Sequence, residues 1–269
     1  MLKVRIVSAL LLIPVVLALI WDLSLIYFDV ALSVFIVLSA WEWSKLAHWS
    51  GCFQSMAYVV ILGLCVAAAM LMALPLFMVV PLLVWFIAIY LVFARAMDWP
   101  LQMRQPKRWA WMGWVILSGA WLSLSWIKQL DGGSLWLTFV LVATWAVDTG
   151  AYFSGKFLGR GRGLLLPRVS PKKTWAGVLG GMFLVILVTA LFLWLHPVWR
   201  RHWLEFLLLD LLIVFAAIMG DLFESVLKRV SGVKDSGTII PGHGGILDRI
   251  DSLLAVAPVV FFAIKCFGW

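Results

Sequence analysis

Sulfur ligands are the first thing this sequence lacks. Its three cysteines, Cys52, Cys65 and Cys266, are odd in number, widely spaced and without a C-x-x-C pair, which excludes a disulfide framework and a thiolate metal site. Charge is scarce as well. Asp, Glu, Lys and Arg make up 13% of the 269 residues, 64% are hydrophobic, and the mean hydropathy is +1.06, which excludes a soluble globular domain. No internal repeat, low-complexity tail or separate nucleic-acid module is present. The net charge of +8 instead resides in short loops between apolar runs, where orientation in a bilayer accounts for it. The opening MLKVRIVSALLLIPVVLALIW has the basic start and apolar run of a signal peptide. Bulky DLSLIYF follows in place of a small-residue cleavage site, so a retained first span is expected.

What is there in quantity is apolar helix. Nine spans of roughly 17–25 residues are predicted, at Ile6 to Trp21, Leu23 to Ala40, Ala57 to Leu74, Leu76 to Ala94, Ala110 to Ile127, Leu135 to Ala151, Thr174 to Leu195, Leu204 to Phe223 and Ser252 to Phe267. The 18 tryptophans suit such a chain, because indole rings favour membrane interfaces. With the N-terminus inside, only Lys128, Arg200, Arg201 and Lys265 of the 21 basic residues fall on the outer side, a skew that supports this count and orientation. The expected fold class is therefore all-α, a polytopic integral membrane protein with its active site on the cytoplasmic side. Residues 1–130 form N-terminal transmembrane helices and 131–269 a C-terminal catalytic region of one continuous membrane unit. Glu42, Lys45 and His48, at the end of the second span, read most simply as interfacial residues.

Polarity concentrates in GDLFESVLKRVSGVKDSGTIIPGHGGILDRID, from Gly220 to Asp251, which holds five of the 13 acidic residues between two apolar runs. Uncompensated charge so close to lipid costs several kcal/mol, roughly, per group. Continued as a helix, the eighth span places Asp221, Glu224, Ser225 and Lys228 on one face. Carboxylates of this kind suit a hard divalent ion shared with phosphates. For Glu224 a simple ion pair with Lys228 explains the residue equally well, whereas Asp221 reads as a metal ligand. Asp248 and Asp251 open the last span, where the helix dipole favours acids. Acids at the end of one span and the start of the next also point to a shared cation, with Asp248 as the second ligand. The glycine-rich loop between them is free to turn amides toward an anion, and His243 within it serves as a proton donor or phosphate ligand or else orders the turn. Asp148 lies about one turn inside a span end, a functional position by default. Lys172 and Lys173, beside Ser170 and Thr174 at a helix start, look suited to phosphate, while surface basicity accounts for Lys156, Arg160 and Arg162. Asp210, deep in the eighth span, is not placed at the metal; it either pairs with another helix or marks the true start of the span.

Ser225, Leu227, Lys228, Arg229, Lys234, Asp235, Gly237, Ile240, Pro241, His243, Gly244, Gly245, Asp248, Arg249 and Asp251 match the signature of the phosphatidate cytidylyltransferase, or CDP-diacylglycerol synthase, family without a departure. The chain resembles that family also in Asp148, Gly150, Ala151 and Tyr152, in SPKKTWAG from Ser170 to Gly177, and in Trp41, Glu42 and Trp43. The resemblance implies an enzyme of a bacterial cytoplasmic membrane, dependent on magnesium and open to a second cation, that joins CTP to phosphatidic acid and releases pyrophosphate. It implies that Asp221 and Asp248 hold metal with Asp148 and Asp251 in support. Lys172, Lys173, Lys228 and Arg229 then hold phosphates, and Ser225 and His243 orient substrate. Ser170, Lys234, Asp235 and Arg249 complete the substrate-binding set, and pairing of two copies is left open. Two other classes share part of this chemistry. A CDP-alcohol phosphotransferase needs a D-G-x-x-A-R element, which is not found here, and a cation-coupled transporter should spread acids along a path through its helices.

Overall fold

The computed structural model describes residues 13–49, 51–71, 74–96, 105–159, 163–239 and 244–269. Residues 13–21 are helical, and eight further α-helices follow: α1 (Leu25–Leu46), α2 (Cys52–Leu71), α3 (Leu74–Ala96), α4 (Ala110–Lys128), α5 (Gly133–Ser154), α6 (Trp175–Leu195), α7 (Trp203–Val230) and α8 (Leu247–Phe267). In an apolar solvent every backbone N–H and C=O must be satisfied within its own segment, and the helix does this. Among the described residues seven helical stretches are long and apolar enough to cross a membrane, and the apolar part of α3, Val79–Ala94, is shorter. The expected first span lies largely outside the described residues. The chain is an all-α integral membrane protein, and its described residues also include a small antiparallel hairpin of β1 (Leu164–Leu166) and β2 (Ser170–Thr174) between α5 and α6.

Punctuation is local. Thr174 caps α6 by accepting the Gly177 amide at 3.1 Å. Gly132 and Gly268, both at φ +70°, start α5 and end α8 in a left-handed conformation that side chains resist. Several predicted boundaries move, the starts of α2 and α8 among them, to Cys52 and Leu247. The second span was expected to stop at Ala40, but α1 runs on to Leu46 because Trp43 and Leu46 bury against the rest of the bundle. The apolar part of the eighth span was expected to end at Phe223, and the helix continues past it to Val230, as the shared face of Asp221 to Lys228 requires, with Val226 and Leu227 buried.

The centre of the bundle is α4, α7 and α8, the helices with most of their residues buried, while α1, α2 and α6 turn most of theirs outward. Two close crossings set where the polar residues end up. Along α5 and α6 there is no room for side chains: a Cβ at Gly150 would run into Gly180 O, and one at Gly180 into Ser154 Oγ. Small residues let membrane helices approach this closely. Gly150→Val should therefore lower stability by roughly 3 kcal/mol through overpacking. Gly63→Val on α2, where a Cβ meets nothing within 4 Å, should leave the unfolding midpoint in detergent unchanged. The second crossing is at Gly220, whose added Cβ would lie 2.5 Å from Asp251 O and 3.2 Å from Ala255 Cβ. There α7 passes α8 just where both carry acids. Deeper in the bundle, Thr189 Oγ1 of α6 donates to Asp210 Oδ1 of α7 at 2.6 Å, both residues buried. That bond gives Asp210 an interhelical partner away from the acid cluster.

Candidate active site

The C-terminal ends of α1, α5 and α7 and the N-terminal ends of α6 and α8 meet at one end of the bundle, and the charged residues gather there. Because Gly220 holds α7 against α8, side-chain oxygens of Asp221, Glu224 and Asp251 lie within 4.8 Å of one another. Like charges at that spacing repel by about 4 kcal/mol at an effective dielectric of 20. Two lysines relieve part of this. Lys173 Nζ, from β2, pairs with Asp221 Oδ2 at 2.8 Å and also donates to Ile218 O at 3.3 Å. Lys228 Nζ lies 2.9 Å from Glu224 Oε2 and 2.6 Å from Asp248 Oδ1. Ser225 Oγ donates to Asp221 Oδ1 at 3.4 Å, and Ser252 Oγ to Asp148 Oδ1 at 3.2 Å. Asp148, Asp221, Glu224, Asp248 and Asp251 thus face two ammonium groups, and the site keeps an excess of negative charge.

Asp248 is placed differently from its expected role. It was expected to meet Asp221 across a cation. Instead Oδ1 takes Lys228, and Oδ2 accepts the Ser236 amide, Ser236 Oγ and the Gly245 amide, each at 2.9 Å. Glu224 is the acid that joins Asp221 and Asp251. The sequence leaves it between the metal-binding face of the helix and an ion pair with Lys228, and it makes that pair with one oxygen only: Glu224 Oε1 is buried with no hydrogen-bond partner. A buried carboxylate oxygen left bare beside two other acids can take a ligand or a cation.

The glycine-rich loop was expected to offer its amides to an anion. Residues 240–243 lie outside the described residues; of the described loop amides, those of Ser236 and Gly245 donate to Asp248, and just beyond the loop those of Ile246 and Leu247 donate to Glu42. His243 lies outside the described residues, as do Arg160 and Arg162. Lys172 and Lys173 were expected at a helix start. They immediately precede the Thr174 cap of α6, on β2, and there they part, Lys173 turning to Asp221 while Lys172 is exposed. Arg229, Lys234, Asp235 and Arg249 are exposed around the rim and Ser170 is half-buried.

Glu42 is the residue that sequence reading misjudged. It is 1% exposed, so it is not interfacial. The available signal was an acid between two tryptophans in an apolar run, which needs a partner when it does not reach water.

Over residues 3–267 the chain matches the model of a cytidylyltransferase family. It belongs to that family. The match covers all but four of its 269 residues. A protein of Pseudomonas aeruginosa named phosphatidate cytidylyltransferase is 39% identical over all of this chain and 99% of its own length. A protein of the same name from Haemophilus influenzae is 32% identical over 96% of each chain. A third relative of that name, from Synechocystis, is 44% identical over 55% of this chain and 50% of its own.

Proposed function

We propose that this cytidylyltransferase joins CTP to phosphatidic acid, giving CDP-diacylglycerol and pyrophosphate. The observation that carries the reading is the end-to-end likeness to relatives bearing the name phosphatidate cytidylyltransferase. The location and charge of the acid and lysine cluster agree with it. One reactant is a lipid and the other water-soluble, so the reaction belongs at the end of a bundle rather than within it. With the two spans expected at Ile6 to Trp21 and Leu76 to Ala94 added to the seven, the chain crosses nine times. The loading of Lys and Arg then puts this end on the cytoplasmic side, with the N-terminus inside.

An oxygen of the phosphatidate phosphate attacks the α-phosphorus of CTP. As that P–O bond forms, the bond from the α-phosphorus to the bridging oxygen breaks, and pyrophosphate leaves with the electron pair. No side-chain nucleophile is needed, so the protein contributes position and charge. Lys173 and Lys228 hold their ammonium groups at the cluster, where phosphate oxygens bring added negative charge. Exposed Lys172, Arg229, Lys234 and Arg249 draw the polyphosphate toward it. Asp221, Glu224 and Asp251 fit a hard divalent cation such as magnesium, being three carboxylates close together with one oxygen unpartnered. The chemistry such an ion supplies is neutralisation of charge on phosphate oxygens.

Purified protein in detergent should release pyrophosphate when CTP, magnesium and phosphatidic acid are all present, and not when diacylglycerol replaces the acid. Release of CMP from CDP-diacylglycerol and an alcohol, with no pyrophosphate from CTP, would instead make it a CDP-alcohol phosphotransferase.

A further inference from the structure

The N-terminus of α8 is capped by a residue from the far end of the sequence. Helix starts leave amides unsatisfied, and a local Ser, Thr, Asn or Asp ordinarily takes one of them. Here the cap position is Ile246, which has no such side chain. Glu42 of α1 fills the gap: Oε1 accepts the Ile246 amide at 3.1 Å and Oε2 the Leu247 amide at 2.8 Å. The carboxylate is enclosed. Gly237 and Gly245 press against it so closely that a Cβ on either would collide with its oxygens, and Ser236 Oγ lies 3.1 Å from Oε2. That same hydroxyl is 2.9 Å from Asp248 Oδ2, and Asp248 holds Lys228, which holds Glu224.

We propose that Glu42 is a positioning residue for the active site: by gripping Ile246, Leu247 and Ser236 it fixes where α8 presents Asp248 and Asp251 to Lys228 and the acids of α7. This rests on the proposed cytidylyl transfer only for its effect on turnover. Glu42 does not itself meet the carboxylate triad, so it acts through the residues it holds. Transfer between two anions depends on placement, and misplacing reacting groups by about 1 Å costs on the order of 100-fold.

Glu42→Gln, which keeps the size and one acceptor oxygen, and Glu42→Ala separate the possibilities. Two readouts are needed. The first is hydrogen exchange in detergent, followed by mass spectrometry. Amides of the segment 244–252 should exchange at least about tenfold faster in both variants, while α5 and α6 keep wild-type protection. The second is turnover, where kcat should fall about 10- to 100-fold with the KM for CTP changed less than about threefold, the smaller fall belonging to Glu42→Gln. Ser236→Ala should reproduce the exchange change in milder form. Unchanged exchange in segment 244–252, or wild-type kcat in Glu42→Gln, overturns the proposal. So does loss of protection throughout the chain in both variants, since Glu42 would then serve the fold as a whole. Should the wild-type protein release no pyrophosphate from CTP and phosphatidic acid, the functional reading fails, and the exchange measurement still decides whether Glu42 holds this segment.

Discussion

Asp221→Asn, Glu224→Gln and Asp251→Asn should each reduce pyrophosphate release on the order of 100- to 1,000-fold while leaving the protein at least as stable as the wild type. The two halves of this expectation have one cause. Oxygens of the three side chains lie within 4.8 Å of one another, so each negative charge raises the energy of the other two. Removing one relieves that repulsion, and the unfolding midpoint should hold or rise, as is common where a site is kept at the expense of stability. Turnover should move the other way, because the charge is what a cation and the phosphates are organised around. Glu224→Gln is the sharpest case: its amide oxygen can still accept from Lys228, so most of the loss is the negative charge of the carboxylate. For each variant the magnesium concentration giving half-maximal rate should rise, by about tenfold or more. Asp131→Asn, an exposed acid at the opposite end of the bundle, should change neither activity nor midpoint. Near-normal turnover in all three site variants would remove the triad from the chemistry.

Lys228→Met should have the largest effect on the fold itself. Lys228 is 14% exposed and lies between Glu224 and Asp248, whose side chains are 5% and 10% exposed. Removing one partner of a buried ionic set leaves uncompensated charge and costs about 3–5 kcal/mol. A large drop in folded yield and in unfolding midpoint should follow, together with loss of turnover. The penalty belongs to the stranded acids rather than to the missing lysine. Adding Glu224→Gln and Asp248→Asn to Lys228→Met should therefore recover most of the midpoint while restoring no activity. If the single variant melts like wild type, water reaches these carboxylates and the ion pairs contribute little.

The comparison between sequence and structure divides by distance along the chain. Asp221, Glu224, Ser225 and Lys228 share a face of α7 by helical spacing alone, and the Glu224–Lys228 pair follows from a four-residue interval. The spans were legible for the same reason, since a run of apolar residues states its own helix. Contacts made across the bundle were not legible. Nothing in SPKKTWAG says that Lys173 turns to Asp221 while Lys172 stays outside. Nothing near Asp248 says that Lys228 and Ser236 occupy it, which is why it was expected at the cation in place of Glu224. Glu42 was misread because its partners are backbone amides, which carry no residue-specific signal. Gly220 was noted only as the start of a polar stretch, and its role is visible only with α8 in place beside it.

The grip of Glu42 on the Ile246 and Leu247 amides spans 204 and 205 residues of chain, and this has a bearing on biogenesis. The ribosome makes the glutamate among the earliest helices and its partners with the last. Until that last helix enters the membrane, Glu42 has no amides to accept and Lys228 has only Glu224 for a counterion. A nascent or prematurely terminated chain ending before Leu247 should therefore remain both inert and vulnerable to quality-control proteases. Insertion of the final helix is then the single event that completes the catalyst and releases the chain from that surveillance.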